Sequence, residues 1–450
     1  MLVVGILNQM PLQAAIAQSA APEPDFWQRD TLLGDWGGLR SAAAAGLSLG
    51  ASYIGETLAD VHGGIRRDGI YEGRLELSVD ADLDKIANWG GAKAHADFFQ
   101  IHGRGIAPDV GSLVAVSNIE ARPSTRLFTL WVEQSLPAAK LSIRLGKIAA
   151  DDEFLSSDDA GILMINSFGW TTWTSFDVLN GGPIYPLAAP GIRVKLEPTE
   201  EITVLSAVFS GDPAGSPSTD DLQARNSTGT RFSFHGGAFF MEEVAYRLNQ
   251  GKDAQGLAST FKLGAWAGAG SRFPDQRFDT TGRSLADPLS NGIPRSHASD
   301  YGLYGIVDQT LWQAGGGDQR RLAAFARVGG SPSAQNLIDF YSDGGLTYQG
   351  LLPERQNDVV GVGVIYSRIG AAARGLDLDA RSFGDPGHLV RSGEVAIETT
   401  YQIQLAPWWT LQPDLQYIIH PGGTIAPPGT ASNSPIPNAL VIGLRTTLKL

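Results

Sequence analysis

The stretch EVAIETTYQIQLAPWWTLQPDLQYIIH, Glu394 to His420, decides the fold. Taken at every second residue, its first half reads Val395, Ile397, Thr399, Tyr401, Ile403 and Leu405, with Glu394, Ala396, Glu398, Thr400, Gln402 and Gln404 between them. After Ala406-Pro407-Trp408 the alternation resumes, Trp409, Leu411, Pro413, Leu415, Tyr417 and Ile419 against Thr410, Gln412, Asp414, Gln416 and His420. A period of two marks a strand with one apolar and one polar face. Each strand is about twelve residues long, twice the usual globular length. Tilted strands need about ten residues to cross roughly 25–30 Å of hydrocarbon. The apolar set, with Tyr401 and Tyr417, is therefore expected to face lipid, and Glu394, Glu398, Gln402, Gln404, Gln412, Asp414 and Gln416 to line water. Trp408 and Trp409 are expected in an interfacial aromatic girdle. Pro413 removes a ladder donor in mid-strand and suggests a bulge or local widening.

The same grammar recurs in GRLELSVDADLD, where Leu75, Leu77, Val79, Ala81 and Leu83 alternate with Arg74, Glu76, Ser78, Asp80, Asp82 and Asp84, and again in LSIRLG, GIRVKLEP, FKLGAWAGAG, RLAAFARVGG, DVVGVGVIY and ALVIGLRTTLKL. Tight turns at 136–139, 197–201, 249–256, 313–319 and 406–408 alternate with long Gly/Pro-rich stretches near 103–124, 148–186, 211–231, 270–298, 370–389 and 421–437. Short and long connections alternate in this way in outer-membrane barrels. The alternation fails after Gly330 unless Asn336–Gly350 is a strand with PERQND as its turn. With that strand the count is about sixteen, an even number with both ends on the periplasmic side. The predicted fold class is thus all-β: a transmembrane antiparallel β-barrel of about sixteen strands around an aqueous lumen, with short periplasmic turns and long extracellular loops.

Composition agrees and excludes much else. There are 55 Gly and 25 Pro but only 18% charged residues, which suits a turn-rich β chain. With no Cys there is no disulfide, thiol nucleophile or cysteine-ligated metal. A net charge of −13 argues against nucleic acid as a partner. The mean hydropathy of −0.06 is uninformative, because alternation conceals the apolar half of a barrel. MLVVGILNQMPLQAAIAQSA has an apolar start and an Ala15-Ile16-Ala17 cleavage pattern, without a basic leading region. Residues 1–17 are expected to be a signal peptide, the alternative being a disordered tail. Residues 18–45 then form an N-terminal periplasmic segment with a short helix over Leu39–Ala45, and 46–450 form the barrel.

LLGDWGGLRSAAAAGL, IRLGKIAADDEFLSSDDAGILMINSFG, YQGLLPERQNDVVGVGVIY and PWWTLQPDLQYIIHPGG through NALVIGLR resemble the carbohydrate-selective (OprB-type) porins of Gram-negative outer membranes, from about Leu33 to Arg445. The resemblance implies passive diffusion of mono- or oligosaccharides through a constricted aqueous channel in the outer membrane, without a cofactor. It also implies outer-membrane lipid and lipopolysaccharide, and the barrel-assembly machinery, as partners; the channel works as monomer or trimer. The chain ends Leu448-Lys449-Leu450 where such barrels usually end in an aromatic residue, a departure that bears on insertion and not on fold.

The loop 148–186 is the longest connection and carries Asp151, Asp152, Glu153, Asp158, Asp159, Asn166, Phe168, Trp170 and Trp173. Sugars offer hydroxyls to charged or amide groups and C–H faces to rings, so this loop is the expected filter. The competing reading of Trp170 and Trp173 is girdle or loop packing. Arg74, on a polar strand face, and Arg104, at a strand lip, are the expected eyelet arginines, with Lys147 a third; the alternative is a lumen-wall ion pair. DDEFLSSDD lacks calcium-loop spacing, so no metal site is expected. His95 and His102 are an odd number apart and fall on opposite strand faces. No hydrolase, zincin or P-loop motif occurs, and an enzyme is not expected. The remaining alternatives are a general or other-solute porin and a soluble all-β carbohydrate-binding protein.

Overall fold

Sixteen antiparallel strands close on themselves in the computed structural model, which describes residues 25–35, 45–215, 221–251, 254–315, 318–430 and 433–450. They are β1 (Leu47–His62), β2 (Gly69–Asp82), β3 (Ala92–Gly103), β4 (Ser124–Leu136), β5 (Leu141–Ile148), β6 (Ala189–Leu196), β7 (Ile202–Ser210) and β8 (Ala238–Leu248). The second half comprises β9 (Ser259–Asp279), β10 (Pro294–Gln313), β11 (Arg321–Gly330), β12 (Ile338–Gln349), β13 (Val359–Ile369), β14 (Gly393–Ala406), β15 (Trp409–Ile419) and β16 (Ala439–Lys449). Each strand pairs with its sequence neighbours, and β1 closes on β16 with Glu56 opposite Arg445. Those two side chains form an ion pair across the seam. The strand expected at Asn336–Gly350 is present as β12, and its turn is 350–358.

Alternation assigns the faces as the sequence suggests. Along β8, Phe240, Val244 and Tyr246 are exposed while Phe239, Met241 and Glu243 are buried, and Leu263 of β9 and Leu303 of β10 are 71% and 63% exposed. Large apolar side chains open to the outside all round a closed wall are a lipid-facing belt.

The inner face departs from expectation. Glu394, Glu398, Gln412, Asp414 and Gln416 point inward but are buried, not wet. The loop 149–188 folds into the lumen, and 104–123 lies beside it. Their apolar side chains, among them Phe154, Leu163, Met164, Phe168, Trp170 and Trp173, share one core with wall residues such as Trp266, Tyr304, Phe325 and Tyr341. Buried loop amides require acceptors, and wall carboxylates supply them. Glu394 accepts from the N–H of Leu113 (2.7 Å), Val114 (2.9 Å) and Gly422 (2.7 Å). Glu398 accepts from Met164 (2.5 Å) and Ile165 (2.8 Å), and Glu243 from Leu155 (3.0 Å).

Other expectations need correction. The stretch 270–298 is mostly strand: β9 and β10 run 21 and 20 residues and stay paired out to Pro294 and Asp279, leaving 280–293 as the loop. The stretch 370–389 holds a helix, Ala371–Ser382, tied to β9 by Arg277 and Asp379 (2.8 Å). The loop-end connections 63–68 and 331–337 are as short as turns, so the sides alternate strictly but the lengths do not. Around Pro413 the register does not shift; pairs to Tyr401 and Gln402 are simply missing, and Gln412 and Thr400 bridge the gap through a 2.9 Å bond. Trp408 is buried under Phe26 and Trp27 and donates to the Phe26 carbonyl at 3.1 Å, so it anchors the N-terminal segment instead of a girdle. Most of the helix expected at Leu39–Ala45 lies outside the described residues.

Candidate functional site

The loops pack against β8 to β16 and, through Tyr185 and Ala188, against Phe99 of β3 and Phe128 of β4, while Arg74, Glu76, His95, Trp131, Glu133 and Arg144 of β2 to β5 stay half-buried. Alternation points Arg74 and Glu76 of β2, His95 and Asp97 of β3, Trp131 and Glu133 of β4, Arg144 of β5 and Arg193 of β6 inward. Register makes several of them cross-strand neighbours: Asp80 faces His95, His95 faces Trp131, Glu133 faces Arg144, and Arg144 faces Arg193. Such pairs are the contact unit of a sheet.

The result is a ladder of rings and guanidinium groups. The Arg144 guanidinium lies 3.9 Å from the Trp131 ring centre, and the His95 ring stacks on the same indole at 4.9 Å. His95 Nδ1 is 2.7 Å from Asp80. Arg144 and Arg193 would repel, but Glu133 binds both, at 3.0 and 2.6 Å. Glu153, from the inserted loop, binds Arg193 through both its oxygens, at 2.5 and 2.8 Å, and ties the loop to this side of the wall. Higher on the ladder, the Arg74 guanidinium sits over the rings of Phe99 (4.7 Å) and Tyr185 (5.2 Å) and donates to Glu76 at 3.1 Å.

Asp151 and Asp152 of the loop face this ladder. Asp151 accepts from the Tyr185 N–H at 3.2 Å. Three polar atoms here have no protein partner and are closed to solvent: Arg74 Nε, Asp97 Oδ1 and Asp151 Oδ1. Asp152 is open to solvent yet ringed by protein. Burial first, then the Asp151 carboxylate, pushes its carboxyl up to about 7, with Arg144 opposing. Burial also raises Asp151. An acid raised in this way is charged above that pH and neutral below it. Cation selectivity, read as reversal potential across a KCl gradient, is therefore expected to fall as the pH is lowered from about 8 to about 6. Asp152→Asn should remove most of that change; an unaltered pH profile in the variant would count against Asp152 as its source.

The sequence candidates separate into two groups. Arg74, Asp151 and Asp152 come together at the ladder. Arg104 lies at the outer rim, bonded to Asp68 and Asp109 at 2.7 Å each. Lys147 is buried on the outer-face register opposite Leu130 and donates to the Gly229 carbonyl, so it does not reach the lumen. Asn166 begins a 3₁₀ turn, its N–H bonded to Ala115 at 3.0 Å. Phe168 is buried edge-on against Phe325 at 5.9 Å. Trp170 donates to the Gly181 carbonyl at 3.0 Å, and Trp173 donates to Ser331 at 2.9 Å and packs on Trp266. These three rings are buried against loop or wall and present no face to solute. His95, Asp97, Trp131, Arg144 and Arg193 were missed; each sits at an inward position of a readable strand, but only cross-strand register shows that they meet. His102 faces outward with Tyr53 and Gln100, opposite to His95 as expected.

Comparison with known proteins gives a consistent result. The family described as carbohydrate-selective porin, OprB family, matches residues 66–450. Porin B of Pseudomonas aeruginosa is 24% identical over 435 residues, spanning 92% of this chain and 90% of that protein. A putative porin, QuiX, of Acinetobacter baylyi is also 24% identical over 435 residues, spanning 89% of this chain and 91% of its own. The high-pH structure of Pseudomonas putida OprB superposes with a TM-score of 0.83 at 24% identity, over 95% of this chain and 100% of that one.

Proposed function

Because the chain belongs to the carbohydrate-selective porin, OprB family, we propose that it selects neutral sugars at the ladder of Arg74, His95, Asp97, Trp131 and Arg144 facing Asp151 and Asp152. The barrel sits in the outer membrane of a Gram-negative cell with its loop end outward, and solute passes by diffusion with no catalytic step. The observation that carries this reading is the half-buried Trp131 ring, flanked by the half-buried Arg144 and His95 with the exposed Asp152 close to both. Both kinds of partner are what a pyranose needs, donors and acceptors for its hydroxyls and a flat surface for its C–H face. Cations and carboxylates alternate along the ladder, so neither sign dominates and a neutral solute is favoured over an ion.

The test is glucose block of the ion current in single channels reconstituted in planar bilayers. Arg74→Ala removes a charged hydrogen-bond donor, worth about 1.5–3 kcal/mol, and should weaken block roughly ten- to a hundredfold. The variant should still migrate as a folded barrel before boiling. If wild-type channels are not blocked by glucose, or pass an equal-sized amino acid as readily, the protein is a general porin and the assignment fails.

A further inference from the structure

We infer that the outer mouth carries a second carbohydrate site, separate from the constriction and built from three loops. A cavity of about 550 Å³ opens between the helix Ala371–Ser382, the segment following it, the loop 280–293 and the residues Ile425, Ala426 and Asn433. That volume is in the usual range for a small-molecule site. Its floor is aliphatic, with Leu376, Leu389 and Ile425, and its rim is polar, with Asp385, His388 and Arg391.

The rim is organised from behind. Asp377, buried, holds Arg391 through both carboxylate oxygens, at 2.8 and 2.9 Å, and accepts the Arg391 N–H at 2.9 Å. His388 is oriented by Asp385 on Nδ1 at 3.1 Å and by Arg381, which bonds its carbonyl at 2.6 Å. Its Nε2 stands 3.5 Å from Asp377 without a hydrogen bond, and the ring is 39% exposed, so this nitrogen is open to an incoming hydroxyl. The second oxygen of Asp385 is likewise open, the side chain being 57% exposed. Arg391 is already matched by Asp377 and a further carboxylate is present, which disfavours anionic solutes. A purely apolar ligand would leave the rim groups unpaired. A neutral polyol, with hydroxyls on its edge and C–H groups on its face, satisfies both surfaces. The site lies on the side from which solute arrives and would raise its concentration above the constriction. This inference rests on the reading of the chain as a sugar channel.

Saturation-transfer NMR on the detergent-solubilised barrel, with glucose and maltose as probes, tests it. His388→Ala with Asp385→Asn is expected to lower the transfer signal about twofold, and Ala380→Trp, which fills the cavity without touching the rim charges, should do the same. Combining either with Arg74→Ala and Trp131→Ala should remove the rest. Signals unchanged from wild type in both cavity variants would overturn the outer site, as would complete loss of signal in the Arg74→Ala/Trp131→Ala protein alone. If instead the constriction variants bind and block normally while the cavity variants lose their signal, the outer site stands and the constriction assignment falls.

Discussion

Replacing Arg327 by alanine is expected to release the inserted loop from the wall and raise single-channel conductance, while the barrel itself stays closed. Arg327 projects inward from β11 and is fully buried. It donates to three loop carbonyls, Leu155 and Gly169 at 2.9 Å each and Ser167 at 2.6 Å, and makes paired contacts with Asp343 of β12 at 2.6–3.1 Å. Alanine leaves Asp343 a buried charge without its partner and leaves the Leu155 and Gly169 carbonyls without donors, Ser167 keeping the Tyr341 hydroxyl at 3.1 Å. Breaking a buried pair from one side costs about 3–5 kcal/mol, more than a hundredfold in the ratio of docked to released loop. The wall ladders of β11 and β12 do not use this side chain, so heat-modifiable mobility on gels should persist. Conductance should rise, sugar block should weaken, and a protease should gain access to bonds between 155 and 178. Arg327→Lys should rescue only in part, because an ammonium cannot span three carbonyls and a carboxylate at once. The decisive variant is Arg327→Met with Asp343→Leu, which removes the buried charge problem but still gives the Leu155 and Gly169 carbonyls no donor. If that channel conducts like wild type, the loop is held by something other than Arg327.

How much of this was legible in the sequence follows from what alternation can and cannot say. A period of two fixes which face a residue is on, so the barrel, its even strand count and even the unobvious strand at Ile338–Gln349 could be read residue by residue. It does not say what covers that face. Glu394 and Glu398 were read as inward and therefore wet; they are inward and capped by loop amides, because a backbone threaded through the lumen needs acceptors wherever water is displaced. The rings of the loop 148–186 read ambiguously for a related reason. Aromatic residues in a long acidic loop suit a sugar and suit a packed core equally well. The discriminating signal lay in other strands: Gly302, Gly329 and Gly363 interrupt otherwise well-formed strands, and glycine in a strand interior often marks a close approach. A Cβ at Gly302 or Gly329 would stand 2.2 or 2.5 Å from the Trp173 ring, and one at Gly363 would stand 2.4 Å from Phe168. Arg144 and Trp131 were hidden differently. Each reads as an ordinary inward residue, and their stack exists only once Glu133 is set opposite Arg144.

Those glycines lead to the second large effect. Trp173→Ala should act on the width of the channel, not on sugar recognition. The indole is fully buried, donates to Ser331, leans on Trp266 at 5.9 Å between centroids, and lies over the two glycine positions of β10 and β11. Truncating a buried aromatic of this size costs about 3–5 kcal/mol, here drawn from the docking of the helix Thr172–Asp177 against the wall. Conductance and current noise should rise, and sugar block should weaken only as far as the eyelet widens. Trp173→Phe keeps most of the ring contact and gives up one hydrogen bond, about 1 kcal/mol, so it should conduct nearly as wild type. Gly329→Val, which keeps the indole but pushes it away with a β-branched side chain, should reproduce the alanine phenotype. Trp131→Ala should give the opposite pattern, a large loss of glucose block with a smaller change in open-channel conductance, since that ring belongs to the wall and stacks on His95 and Arg144. The comparison separates clamp from filter in a single bilayer experiment. If Trp173→Ala abolishes glucose block at unchanged conductance, and Trp131→Ala does not, the indole at 173 reaches the solute and the two roles must be exchanged.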